Sequence, residues 1–281
     1  MAAGTLGLVL FAAFLHAAWN TLLRGGTDRL WSMAVMNLAM GLLGLAGLAL
    51  YGLPVLAALP YAAASGAIHL AYNLLLVATY RTGDLGQTYP IARGSSPTIV
   101  ALGAAVAAGE QPAPGTLAGI ALVSAGILAL AFARGSLGRR GLGRGGLAAA
   151  LATGTAIAAY TLVDGLGVRA SGDWRAYSAA MFTFHLILPA WLVLRRGAGV
   201  LDVSAREALK AVGGGLISFA AYAAVIWAMQ RGAMGAVSAL RETSVVFAAF
   251  LGRIVLGERL TAERLIACIV IAAGAVLIGG G

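Results

Sequence analysis

Ten stretches of apolar residues, each about 20 long, fill almost the whole of this 281-residue chain. They run roughly over 3–23, 31–52, 60–80, 87–108, 114–133, 145–167, 174–194, 208–230, 235–256 and 261–279. A helix of that length crosses the hydrocarbon of a bilayer. The stretches lack strand-like alternation, so each must satisfy its backbone hydrogen bonds within itself, as a helix does. The expected fold class is therefore all-α integral membrane, with ten transmembrane helices. Composition agrees: 60% of residues are hydrophobic and only 10% charged, against about 25% charged in a soluble domain. The 40 glycines and abundant alanine suit close helix packing in lipid. The first stretch does not read as a signal peptide, because no Lys or Arg precedes Arg24.

In a soluble protein a formal charge of +9 would suggest nucleic acid. Here the basic residues gather in short loops, where they orient helices, and no nucleic-acid partner is expected. The loops after helices 1, 3, 5, 7 and 9 hold fourteen of them, and those after helices 2, 4, 6 and 8 hold three: Arg169, Arg175 and Arg231. The positive-inside rule then places the first set in the cytoplasm and both termini outside. The longest polar interruption, "RGSLGRRGLGR" over 134–144, divides the chain near its middle. Trp31, Trp174 and Trp191 fall near helix ends, as interfacial anchors do. Cys268 is alone, which excludes a disulfide within the chain. His16, His69 and His185 show no metal-ligand spacing, so neither a metal nor a cofactor is expected. No GxSxG or Walker A pattern occurs, so the expectation is not an enzyme and not a transporter driven by ATP through this chain.

The two halves resemble each other. A shift of 148 residues sets Arg241 on Arg93, Ser244 on Ser96, Gly257–Glu258 on Gly109–Glu110 and Gly274 on Gly126. Over 93–128 against 241–276 there are 8 identities in 36 positions. "HAAWNTLLR" (16–24) also aligns loosely with "IAAYTLVDG" (157–165), pairing Trp19 with Tyr160. Two five-helix units are expected, 1–138 and 139–281. Because five is odd, the second unit enters the membrane from the opposite side, giving an inverted repeat of the kind that supports alternating access around a midplane site.

These features are similar to those of the EamA-type branch of the drug/metabolite transporter superfamily. The resemblance rests on the two halves with their Gly-Glu pairs, and on "LHAAWNTLLR" (15–24), "YPIARGSSP" (89–97) and "LRETSVVFA" (240–248). It implies secondary transport of a small metabolite, often amino acid export, through a central cavity between the halves. It also implies both termini in the cytoplasm, against the charge count. A bacterial inner-membrane location is expected, as a monomer or homodimer, with the lipid bilayer, a small-molecule substrate and a coupled proton as partners. The alternative is a lipid-handling protein or enzyme acting on head groups, which would turn Arg93 and Arg241 toward lipid.

Arg93 and Arg241 are the leading candidates, because a charge inside a bilayer helix faces the bundle interior and has a partner. Each either belongs to a fixed ion pair, caps carbonyls opened by Pro90 and Pro97, or holds an anionic substrate group. Glu242 is expected to pair with Arg93 if the two helices cross, and need not pair with its neighbour Arg241. Trp19, Asn20, Tyr72, Asn73, Tyr89, Tyr160 and Tyr222 are candidate cavity liners; helix packing is the plain alternative for each. Asp164 is either a solvated interfacial residue or a protonatable coupling group, and His16 is a second candidate for the proton. The Gly-Glu pairs are assigned to structure, with each Glu near the start of the helix that follows it.

Overall fold

The computed structural model describes residues 1–24, 27–81, 85–132, 144–256 and 260–280. Among them there is no strand, and ten helical segments are long and apolar enough to cross a membrane. The first five are single helices: α1 (Ala3–Arg24), α2 (Arg29–Tyr51), α3 (Leu59–Arg81), α4 (Leu85–Ala108) and α5 (Pro114–Phe132). The sixth is α6 (Arg144–Ser171). The seventh is broken into α7 (Trp174–Thr183) and α8 (Ile187–Arg196) by a 3₁₀ turn over Phe184–Leu186. The eighth is α9 (Ala205–Arg231), the ninth is split into α10 (Met234–Glu242) and α11 (Ser244–Leu256), and the tenth is α12 (Ala262–Gly280).

Side chains are sorted as lipid demands. Leu50, Leu56, Val106, Leu194, Ile254 and Val276 are exposed on the outside. Asn37, His69, Arg93, Asp164, Arg241 and Glu242 are buried. In water this sorting would be reversed; in a bilayer the apolar surface has a solvent and the polar groups find one another.

The packing relates the halves. α5 lies against α12, α2 against α7 and α4 against α10. α4 lies against α6 and α1 against α10 and α11; α3 lies against α6 and α1 against α9; α3 lies against α7 and α2 against α9. Replacing each span by the one five places along turns every pairing here into itself or into another of them. The α5–α12 contact depends on glycine: a Cβ at Gly274 would stand 2.8 Å from the Gly119 carbonyl oxygen.

Three expectations need correction. The ninth span is not continuous. Thr243 turns its hydroxyl back onto the Leu240 carbonyl at 2.6 Å, and its own N–H also bonds Leu240 O, which interrupts the helical ladder. Trp31 is buried and donates its indole N–H to Val200 O at 2.8 Å, so it ties α2 to the loop before α9 and does not anchor the chain at the lipid interface. Gly109 does end α4, with φ +65° and the Glu110 N–H returning to Ala104 O at 3.2 Å. Glu110, however, does not serve the following helix. Its carboxylate accepts the Met234 N–H at 3.0 Å on both oxygens, capping α10. The Gly257–Glu258 pair lies outside the described residues.

Candidate functional site

The break after Glu242 and the close packing of α4 on α10 bring the predicted charges together. Glu242 is ion-paired to Arg93 and to Arg241, the latter at 3.1 Å. All three side chains are at most 1% exposed. The pairing with Arg93 is as expected for crossing helices. The sequence neighbours Arg241 and Glu242, whose pairing the sequence left open, are also in contact at the terminal residue of α10. Arg93 also donates to Ser244 Oγ at 2.8 Å and reaches His16 Nε2 at 2.6 Å. Arg241 reaches Thr161 Oγ1 at 3.3 Å. Among the described residues the bonds of both arginines go to side chains, those of Arg93 on other helices and those of Arg241 to Glu242 of its own helix and Thr161 of α6. Arg93 lies over the Tyr89 ring, and Arg241 over the Tyr160 ring at 5.5 Å.

Beside this cluster is a narrow internal cavity of about 40 Å³, room for a few water molecules. Of the predicted liners, Trp19, Tyr72, Asn73, Tyr160 and Tyr222 face it, and so does His16. Arg93, Arg241, Glu242, Asn20 and Tyr89 do not line it. They stand behind the wall, joined to it through His16 and Tyr160. Asn20 is buried and donates to His16 O at 2.9 Å, holding α1 in shape.

Sequence reasoning missed one wall of the cavity. α2 contributes Met33, Met36, Asn37 and Met40, and His69, His185 and Ser218 complete the lining. Asn73 donates to Asn37 Oδ1 at 3.0 Å, and Asn37 to Met33 O at 2.8 Å. The available signal was polarity in an apolar span: Asn37 is the only amide in α2, and His69 and His185 each stand within a hydrophobic stretch. The aromatic side chains lock together. His69 stacks on Tyr160 with ring centres 4.0 Å apart, and Tyr222 meets both rings edge-on.

Asp164 is fully buried, which removes the solvated interfacial alternative. Tyr177 donates to one carboxylate oxygen at 2.8 Å and Tyr222 to the other at 2.5 Å. His16 has a different constraint. Arg93 Nη1 faces its Nε2, and Trp19 Nε1 faces its Nδ1 at 3.2 Å. Both neighbours are obligate donors and a neutral imidazole has one acceptor nitrogen, so only one of these two contacts is a hydrogen bond at a time.

Each end of the bundle is tied by an ion pair. At one end Arg169 bonds Glu110 at 2.6 Å, Gly232 O at 2.7 Å and Met229 O at 3.1 Å. At the other, Arg196 pairs with Asp28, whose carboxylate also caps α2 through the Trp31 N–H at 3.0 Å. Partial burial opposes ionisation of Asp28, but the Arg196 guanidinium and the Trp31 N–H outweigh it and hold the carboxyl below its usual value. No group of three or more His, Cys, Asp or Glu able to hold a metal occurs among the described residues.

Residues 144–280 match the model of the EamA-like transporter family. No curated protein sequence matches the chain. A solved crystal structure shares its fold, with 20% sequence identity and a TM-score of 0.76 over 98% of this chain and 96% of the other.

Proposed function

From the match of residues 144–280 to the model of the EamA-like transporter family, we propose that this chain is a secondary active transporter of a small polar or zwitterionic metabolite, working by alternating access, with amino acid export as the leading assignment. The proposed units are 1–138 and 139–281, arranged as an inverted repeat in a bacterial inner membrane.

One observation carries this reading: a cavity with aromatic and amide walls is lined by helices from both proposed units, α1, α2 and α3 on one side and α6 and α9 on the other. Pockets for small molecules have this composition, mostly apolar with a few convergent polar groups. The exchange of packing partners between the halves supports rocking of one unit against the other. Glu242 is the hinge of that exchange, since it bonds one arginine from each half. Arg241 Nη1 is buried without a hydrogen-bond partner among the described residues, next to the Tyr160 ring that forms part of the cavity wall. The lipid-handling alternative is not favoured, because it requires Arg93 and Arg241 to face lipid and both are buried in the bundle.

The test is reconstitution in liposomes loaded with labelled amino acids and other small zwitterions, following efflux. Efflux above that of protein-free vesicles, abolished in Arg93→Ala while the variant stays folded, supports the reading. Normal transport in that variant removes Arg93 from the site.

A further inference from the structure

His16 stands between the charge cluster and the cavity, and each of its ring nitrogens faces a donor. Arg93 Nη1 lies 2.6 Å from Nε2, and Trp19 Nε1 lies 3.2 Å from Nδ1. A guanidinium and an indole N–H can only donate, and a neutral imidazole accepts at one nitrogen. The two contacts therefore compete for one lone pair, and the distances decide between them. A ring hydrogen on Nε2 would set two donors, one of them charged, against each other across 2.6 Å. With the hydrogen on Nδ1, the same contact becomes a charge-assisted hydrogen bond, the stronger kind. The mismatch that remains is the longer one. His16 Nδ1–H and Trp19 Nε1–H face each other at 3.2 Å with no acceptor between them.

Arg93 is held in place by its ion pair with Glu242 and by Ser244 Oγ at 2.8 Å, so it does not turn away to relieve this. Trp19 and His16 are only 5% and 8% exposed, and among the described residues no other acceptor bonds either hydrogen. Buried donors without acceptors are costly to a fold. Both residues line the cavity, and an acceptor can reach them there. Asn37, Asn73 and Tyr222, also in the lining, already donate to protein acceptors: Met33 O, Asn37 Oδ1 and Asp164.

We propose that His16 Nδ1–H and Trp19 Nε1–H form a two-donor site for a carboxylate oxygen in the cavity, and that Arg93 is the positioning residue that creates it by fixing the His16 tautomer. The proposal rests on the transport reading for the cavity as the substrate site, and deepens it by naming the group recognised. One oxygen about 2.9 Å from each nitrogen satisfies both hydrogens at once. An anionic oxygen is favoured over a neutral one for two reasons. The guanidinium on Nε2 polarises the ring and strengthens Nδ1–H as a donor. The cluster behind the ring sets two guanidinium groups against one carboxylate, an excess of one positive charge. Arg93 thus acts on the substrate through His16 without touching it, as its place behind the cavity wall requires.

The test is ¹⁵N magnetic resonance of the full-length protein in lipid bilayers, with the ring nitrogens of histidine and tryptophan labelled. The signals are assigned by their loss in His16→Gln and Trp19→Phe. Protonated and bare imidazole nitrogens differ widely in chemical shift, so the tautomer is read directly. The expected result is a hydrogen on Nδ1 of His16 in the wild type, moving to Nε2 in Arg93→Met, where Trp19 is the donor left. Acetate, the carboxylate probe, should shift both the His16 Nδ1–H and the Trp19 Nε1–H signals; methylammonium, which offers no acceptor, should shift neither. Trp19→Phe should weaken the acetate response about tenfold, the effect of one hydrogen bond to a charged group. A wild-type His16 with its hydrogen on Nε2, or protonated on both nitrogens, overturns the proposal without any variant having to fold. So does a tautomer that Arg93→Met leaves unchanged, and so does acetate that moves neither signal. A response to acetate in a protein that moves no solute overturns the transport reading and leaves the donor pair standing. Efflux of zwitterions with both signals unmoved does the reverse.

Discussion

Glu242 is the residue on which the centre of the molecule depends. It neutralises one of two guanidinium groups and bonds both, in surroundings with almost no water. Removing the common partner of a buried charge network leaves charge uncompensated, at a loss of about 3–5 kcal/mol. Removing Arg93 leaves Glu242 still paired to Arg241. Glu242→Gln is therefore expected to lower stability more than Arg93→Met, as read by thermal unfolding in detergent; equal or reversed effects would show that the three charges do not act as a unit. Asp28 makes the opposite case, at the surface. Its carboxyl is held below the ordinary value of 3.8, so its contribution is fully present above that pH and disappears as the pH falls through the lower, folded value. The side chains of Asp28 and Arg196 are 39% and 37% exposed, which limits the pair to about 0–1 kcal/mol. Wild type and Asp28→Asn should differ slightly in melting temperature at neutral pH, and the gap should narrow toward pH 3.

The broken helices decide where the chemistry sits. Thr243 interrupts the ninth span one residue after Glu242, and the 3₁₀ turn in the seventh carries His185. Neither break was legible in the sequence, because Thr and His occur in unbroken helices as well, and because the prolines at 90 and 97 pointed to α4, which stays helical. The spans themselves were legible, since length and apolarity suffice to define them. So was the meeting of Arg93 with Glu242, which the repeat implied once the fourth and ninth spans were paired. The Met and Asn wall of α2 was not, because it depends on the rotation of that helix about its axis, which a nearly uniform apolar stretch does not encode. Glu110 belongs to this scale too. It caps α10 from the connection between α4 and α5, an interaction worth about 1 kcal/mol, and it anchors Arg169. Glu110→Ala should speed hydrogen exchange at residues 233–237 while leaving α2 unaffected; unchanged exchange there would remove the cap from the account.

For the molecule as a whole, ten spans would bring both termini to one side of the membrane, and the orientation proposed from the charge count puts that side outside. An alkaline phosphatase fused at the C-terminus should be active and a green fluorescent protein dark; the reverse pattern would show that the superfamily's usual orientation prevails over the Arg distribution. In the proposed transport cycle, with the two units as an inverted repeat, the Arg169–Glu110 tie would open in one state and the Asp28–Arg196 tie in the other, with Glu242 as the contact between units. The central claim is that a small zwitterion or carboxylate binds in the cavity next to this charge cluster. The most direct measurement is a thermal-stabilisation screen of the purified protein with amino acids, organic acids, phosphorylated metabolites and organic cations, since a ligand of the folded state raises the melting temperature by mass action. The expected result is stabilisation by a zwitterion or carboxylate that is lost in Asn73→Ala and Tyr160→Ala. Stabilisation by cations alone, or by a ligand to which both cavity variants respond like wild type, would contradict it.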